Sequence, residues 1–313
     1  MRARRLVAAG TIVLLGAACG SSTENAGDAD PPRALAPWVA AEFPTGLLAE
    51  SDGSVLYVER LTGRVRLVDA AGRLDPEPVA VLDTVGAPDD QRGALDLLRL
   101  GDGRLLASWT QSEDGRLVVG VVDAVPTVLW VGPVSADRAN GGALAESGDG
   151  SVLVTVGDLL APDDPPATAT DPRSMVLRID PNGSPDQTAT IVSEGWNNPY
   201  AMVTDGDGIT WAADNSGGSA PERFGRADRS AADAIELPGP QIAPSALVDL
   251  GAGRLGLCSF LRQQMFEIET SGATPRLDRQ PTVAPCSIGA VVIGDRVVTA
   301  TPTGLFVGDR PVT

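Results

Sequence analysis

The chain has 313 residues, 43% of them hydrophobic, with 36 Gly and 25 Pro but neither His nor Lys. The two absences exclude Ser-His-Asp and Cys-His nucleophilic catalysis, His-ligated zinc and haem, the phosphate-loop lysine and every lysine Schiff base. Acidic residues outnumber basic ones by 41 to 24, a net charge of −17, which argues against nucleic acid as a partner, while length and apolar content suffice for a sizeable core.

The first element in chain order is a targeting segment over residues 1–18. Arg2, Arg4 and Arg5 precede an apolar run from Leu6 to Ala18, 13 residues long and too short to span a bilayer. The sequence LLGAACGSS then sets Cys19 after Ala17 and Ala18 and resembles the lipobox of bacterial lipoproteins, with Gly16 standing where Leu or Val is usual. The resemblance implies cleavage before Cys19, a lipid on its thiol and residence on the outer face of the cell membrane. An ordinary secretory signal with an incidental Cys19 is the other reading. Residues 19–36, small, polar and Pro-containing, suit a flexible tether.

From residue 37 onward a short unit recurs: an apolar stretch, a Gly/Asp turn, then an apolar or alternating strand. It stands at 44–59, 92–109, 140–158, 198–214, 244–260 and 286–301, with turns near Gly53, Gly103, Gly150, Gly208, Gly253 and Asp295. Segments such as DGSVLYV and DGITWAA read as hairpins, and GRVRLVDA, GRLVVGVVD, MVLRID and QMFEIE read as third strands. Pro and Gly interrupt nearly every window that could hold a long helix. Six units of about 45 residues predict an all-β, six-bladed propeller of four-stranded antiparallel blades over 37–313, closed by 37–43 completing the sheet of 286–309. Segments 159–197 and 215–243 hold no further copy and read as loop apart from MVLRID. In an oxidising, exported location Cys258 and Cys286 are expected to pair; two buried thiols are the alternative.

The motifs PTGLLAESDGSVLYVERLTGRVRLVD (44–69), RGALDLL (92–98), NGGALAESGDGSVLVTVGD (140–158), SMVLRID (174–180) and GWNNPYAM (195–202) resemble the glucose/sorbosone dehydrogenase family, propellers related to pyrroloquinoline quinone (PQQ) dependent sugar dehydrogenases. The resemblance covers 38–309, in the form of a degenerate actinobacterial lipoprotein. It implies PQQ and Ca²⁺ as cofactors and a His acting as general base toward a sugar hydroxyl. At the family's His positions this sequence has Ala139 and Trp196; Ala143 and Asn197 stand for motif arginines, Asn198 is retained, and the cofactor-clamping Lys has no counterpart.

The remaining candidates are carboxylates, amides and aromatics. Asp158 and Asp214 are candidate bases if desolvated, or turn residues accepting backbone N–H bonds. Asp163, Asp164 and Asp171 on the Pro-rich loop 159–174, with Glu222, are candidate Ca²⁺ ligands or a plain solvated loop. Trp196, Tyr200 and Trp211 can stack on sugar faces or fill the core. Arg92, Asn140, Asp158, Trp196, Asn197, Asn198 and Asp214 together form the expected ligand pocket. The expectation is a monomeric, membrane-anchored binding protein for a glycan, a small polar ligand or an envelope protein, with PQQ and Ca²⁺ entering through the family resemblance alone. An altered PQQ-dependent sugar or alcohol oxidoreductase and a scaffold in an envelope complex are the alternatives.

Overall fold

The computed structural model describes residues 36–161, 168, 171–217, 220–283 and 285–311. The leader, Cys19 and the tether up to Leu35 lie outside the described residues, as do Asp163 and Asp164.

The Gly/Asp turns make the hairpins that the sequence predicts. At the first, Asp52 Oδ1 accepts the Ser54 N–H at 2.9 Å and Gly53 takes a φ of 84°, a backbone conformation that costs glycine little and other residues more. After a short β1 (Val39–Ala40), blade 1 consists of β2 (Pro44–Ala49), β3 (Val55–Glu59), β4 (Arg64–Val68) and β5 (Ala80–Val81). Blade 2 holds β6 (Ala94–Arg99), β7 (Leu105–Thr110), β8 (Arg116–Val121) and β9 (Thr127–Val134), and blade 3 holds β10 (Gly141–Glu146), β11 (Val152–Val156), β12 (Met175–Ile179) and β13 (Thr190–Glu194). Blade 4 is β14 (Pro199–Thr204), β15 (Thr210–Asp214), β16 (Arg223–Arg226) and β17 (Ile235–Glu236). Blade 5 is β18 (Pro244–Gly251), β19 (Arg254–Ser259), β20 (Gln264–Glu269) and β21 (Arg276–Val283), and blade 6 is β22 (Gly289–Ile293), β23 (Arg296–Thr301) and β24 (Gly304–Asp309).

Among the described residues these strands form six four-stranded antiparallel sheets. The sixth takes its outer strand from the start of the domain, with Val39 opposite Leu305 and Ala40 opposite Gly304, which closes the ring as the sequence predicts. Segment 215–243 carries β16 and β17, which the sequence presents as loop because the strands are short and flanked by Pro, Gly and Arg. Each blade's first strand touches the next blade's first strand, and β22 touches β2, so six inner strands surround the axis.

The core sits between blades. One buried cluster joins blades 1 and 2 through Leu56, Leu97 and Trp109, the next joins blades 2 and 3 through Leu106, Leu144 and Trp130, and the pattern repeats round to Tyr57 and Val298 between blades 6 and 1. Each fully buried Leu in these seams contributes roughly 2–3 kcal/mol through removal from water. Cys258 in β19 and Cys286 before β22 form a disulfide with Cα atoms 5.2 Å apart, tying blade 5 to the entry of blade 6. In β2, β6, β10, β14 and β18 the register shifts near the first residues, a bulge-type irregularity that re-aims side chains at one end of the axis.

Candidate functional site

The starts of the inner strands and the ends of the second strands meet at one end of the propeller, called the upper end below. Asp158 follows β11 there, and Asn197 and Asn198 precede β14, so antiparallel pairing alone brings the three to the seam of blades 3 and 4. Asp158 is 5% exposed. Its Oδ1 accepts the Leu160 N–H at 2.9 Å and its Oδ2 accepts the Asn197 Nδ2 at 2.5 Å, while its own N–H donates to the Asn197 carbonyl at 2.7 Å.

Asp214, at the end of β15, is fully buried. Its Oδ1 accepts the N–H groups of Asn198 at 2.6 Å and Asn197 at 3.0 Å, and its Oδ2 accepts Arg223 Nη2 at 2.6 Å and Nε at 3.1 Å. Asn198 Oδ1 accepts the Gly141 N–H at 2.9 Å, and Asn198 Nδ2 donates to Gln91 Oε1 at 3.4 Å. Gln91 Oε1 also accepts the Ala139 N–H at 2.8 Å, so loops of blades 2, 3 and 4 share one network. Gly157 is required where these loops cross: a Cβ there would stand 2.0 Å from the Ala139 carbonyl oxygen.

Burial pushes the Asp158 carboxyl above its ordinary value, the Leu160 N–H opposes, and the charge of Asp214 adds to the rise. Burial also raises Asp214, against the Asn197 N–H, Arg223 and the Asn198 N–H. Both carboxylates thus hold donors from the protein itself, and both behave as the turn and loop anchors that the sequence offered as one of their two readings.

Other expected pocket residues lie elsewhere or are engaged. Trp196 is 1% exposed, packed among Leu153, Val176 and Met202 with its Nε1 donating to Ser193 Oγ at 2.9 Å; it is a core residue and presents no platform to a sugar. Trp211 stacks on Phe224 at 5.2 Å between ring centroids. Asn140 closes on its own loop, through Oδ1 to the Ala136 N–H and Nδ2 to the Ala136 carbonyl, both at 2.8 Å. Arg92 pairs with Asp90 at 2.7 Å and Asp137 at 3.3 Å. Glu222, raised by burial, accepts the N–H groups of Ile242 at 2.8 Å and Ala243 at 2.7 Å, so it staples the chain entering blade 5. Asp171 pairs with Arg173 at 3.3 Å. Among the described residues no group of three or more Cys, Asp or Glu side chains is placed to hold a metal ion.

The sequence reading missed Asp96, on inner strand β6. It lines an axial cavity of about 690 Å³ that also holds Tyr200 and reaches the lower hairpin turns at Gly148 and Gly208. Asp96 Oδ1 accepts the Leu97 N–H at 2.9 Å and its Oδ2 accepts the Leu144 N–H at 2.8 Å, joining blade 2 to blade 3. Burial drives its carboxyl up to about 7, with the Leu144 and Leu97 N–H groups opposing. The signal lay in ALDLLR, where one carboxylate interrupts an apolar inner strand.

No family model matches the chain, and no curated protein matches it. Solved structures do. The PQQ-bound aldose sugar dehydrogenase of Streptomyces coelicolor aligns with a TM-score of 0.66 at 17% identity, over 88% of this chain and 97% of that one. The soluble aldose sugar dehydrogenase of Escherichia coli in its apo-form gives 0.69 at 15% identity, over 88% and 99%. A glucose dehydrogenase gives 0.70 at 16% identity, over 85% and 96%. The chain therefore has the six-bladed fold of the PQQ-dependent sugar dehydrogenases, and at these identities the likeness extends to the fold alone.

The residues at the upper end do not fit a cofactor with three carboxylates, which requires cationic or strong donor partners once desolvated. Arg60 gives its guanidinium to the carbonyls of Asp90, Arg92, Ala87 and Pro88 and lies over the Phe43 ring at 4.4 Å. Arg92 and Arg223 are held in the ion pairs described above. Arg138, exposed beside Ala139, is a single cation without an ion pair among the described residues.

Proposed function

We propose that this chain is an exported, lipid-anchored propeller of sugar-dehydrogenase type that binds rather than oxidises, taking a polar ligand such as a glycan on its upper loops. One observation carries the reading: where the family resemblance puts acid–base chemistry, Asp158, Asp214, Asn197 and Asn198 are hydrogen-bonded to one another's loops, and Ala139 stands in the place of the base. A general base must reach a substrate proton, and Asp158 and Asp214 are only 5% and 0% exposed. The sequence of the leader supports export and the anchor at Cys19, which keep such a binder at the cell envelope.

Dye-linked oxidation of an aldose panel, with the protein incubated with PQQ and Ca²⁺, tests it. The expected result is no dye reduction above the protein-free rate; sugar-dependent turnover that disappears in Asp158→Asn would replace this reading with the altered oxidoreductase.

A further inference from the structure

The axial cavity belongs to no part of the network above. It runs along the same inner strands to the lower hairpin turns, and its volume of about 690 Å³ is that of a small-molecule site. Among the described residues its charged lining side chains are Asp96 and Glu146, both carboxylates, with no arginine. Glu146, the last residue of β10, is engaged by the Gly101 N–H at 3.1 Å and 2.9 Å through its two oxygens. Asp96 lies deeper, with one backbone N–H on each oxygen, so each oxygen keeps a second lone pair toward the cavity. Tyr200 of β14 lines the same space, and its hydroxyl has no hydrogen-bond partner among the described residues. Half-buried Leu48, Leu98, Val203 and Val291 supply apolar wall.

We infer that this cavity binds a small organic cation, an amine with an apolar body, whose ammonium group is received by the Asp96 carboxylate and the Tyr200 hydroxyl. A bare divalent ion fits poorly, because it needs six or more oxygens and the wall around Asp96 is hydrocarbon. A neutral apolar molecule would leave the deep carboxylate unanswered in a low-dielectric space. The net charge of −17 draws cations toward the molecule before they reach the cavity. The site is independent of the reading given for the upper end and stands whether or not the chain is a catalyst.

Titratable groups facing Asp96 across the cavity are Tyr200 from β14 and Glu146 from β10; Arg60 acts on Tyr200 from beyond, and β2, β18 and β22 contribute none. Only the ionised carboxylate attracts an ammonium group. With the Asp96 carboxyl at about 7, affinity for the amine rises with pH between about 6 and 8 and levels off above that.

Calorimetric titration of the mature chain with cyclohexylmethylamine, against cyclohexylmethanol as its neutral isostere, tests the proposal. The amine is expected to bind at least about tenfold more tightly than the alcohol at about pH 8 and to lose about tenfold at about pH 6, following the ionised fraction of Asp96. Tyr200→Phe, which keeps the wall, is expected to weaken the amine by about tenfold to a hundredfold, the loss of one hydrogen bond to a charged group. Asp96→Asn is expected to abolish the preference for the amine, with circular dichroism confirming the fold. Equal affinity for amine and alcohol, an affinity indifferent to pH, or no heat from the amine at about 10 mM would each overturn the site.

Discussion

Asn197, on the approach to blade 4, donates its side-chain amide to the Asp158 carboxylate of blade 3 at 2.5 Å. The carboxylate best placed to serve as a base is thus the fastening of one blade to the next. Asn197→Ala removes that donor and leaves a buried carboxylate with the Leu160 N–H alone. A loss of about 1–3 kcal/mol is expected in urea denaturation. An unchanged midpoint would mean that Asp158 is answered by solvent and is open to a ligand.

Trp196→Ala is expected to cost about 3–5 kcal/mol, because a fully buried indole is replaced by a void and Ser193 loses a donor. Thermal denaturation measures it, with Trp196→Phe as the milder comparison. A variant as stable as the parent but weaker in retention on envelope polysaccharide would return Trp196 to the ligand surface.

Stability is expected to rise as the pH falls from about 7 to about 5. A carboxyl whose folded value exceeds its unfolded value holds its proton more tightly when folded, so its contribution to stability is greatest below the unfolded value and is lost as pH rises through the folded one. Asp96, at about 7 against an ordinary 3.8, dominates this window, and Asp158, Asp214 and Glu222 act in the same direction. The expected slope approaches about 1 kcal/mol per pH unit and flattens in Asp96→Asn. A slope of opposite sign in urea midpoints between about pH 5 and 7 would contradict the burial of Asp96.

The repeat of Gly/Asp turns made the blades legible, since each turn fixes a hairpin and each hairpin's second strand is an apolar run such as VLYVE or VLVTV. Ring closure was legible too, from the lone strand-like segment at the start of the domain. The outer strands were not: β5 and β17 are two residues long and half-exposed, with too little apolar alternation to read. At the upper end the sequence brought Asp158, Asn197, Asn198 and Asp214 to one place, but it gave no sign that they answer each other. Trp196 follows Gly195, whose φ of 86° turns the chain, and the side chain enters the seam between blades, a direction that composition does not encode. Asp96 is unexceptional in ALDLLR until the strand around it closes on the axis.

The leader and Cys19 make a prediction of their own. Intact-mass analysis of the envelope-extracted protein is expected to show a chain beginning at Cys19 with added lipid, and Cys19→Ala is expected to release the domain in soluble form. Continued membrane retention of Cys19→Ala would contradict the anchor.

Calorimetric titration of the purified domain with PQQ in the presence of Ca²⁺ tests the central claim most directly. With Arg60, Arg92 and Arg223 committed to protein partners, no saturable heat is expected up to about 100 μM PQQ. Stoichiometric binding in the micromolar range, weakened by Arg92→Ala or Arg223→Ala, would contradict it and restore a cofactor site at the upper end.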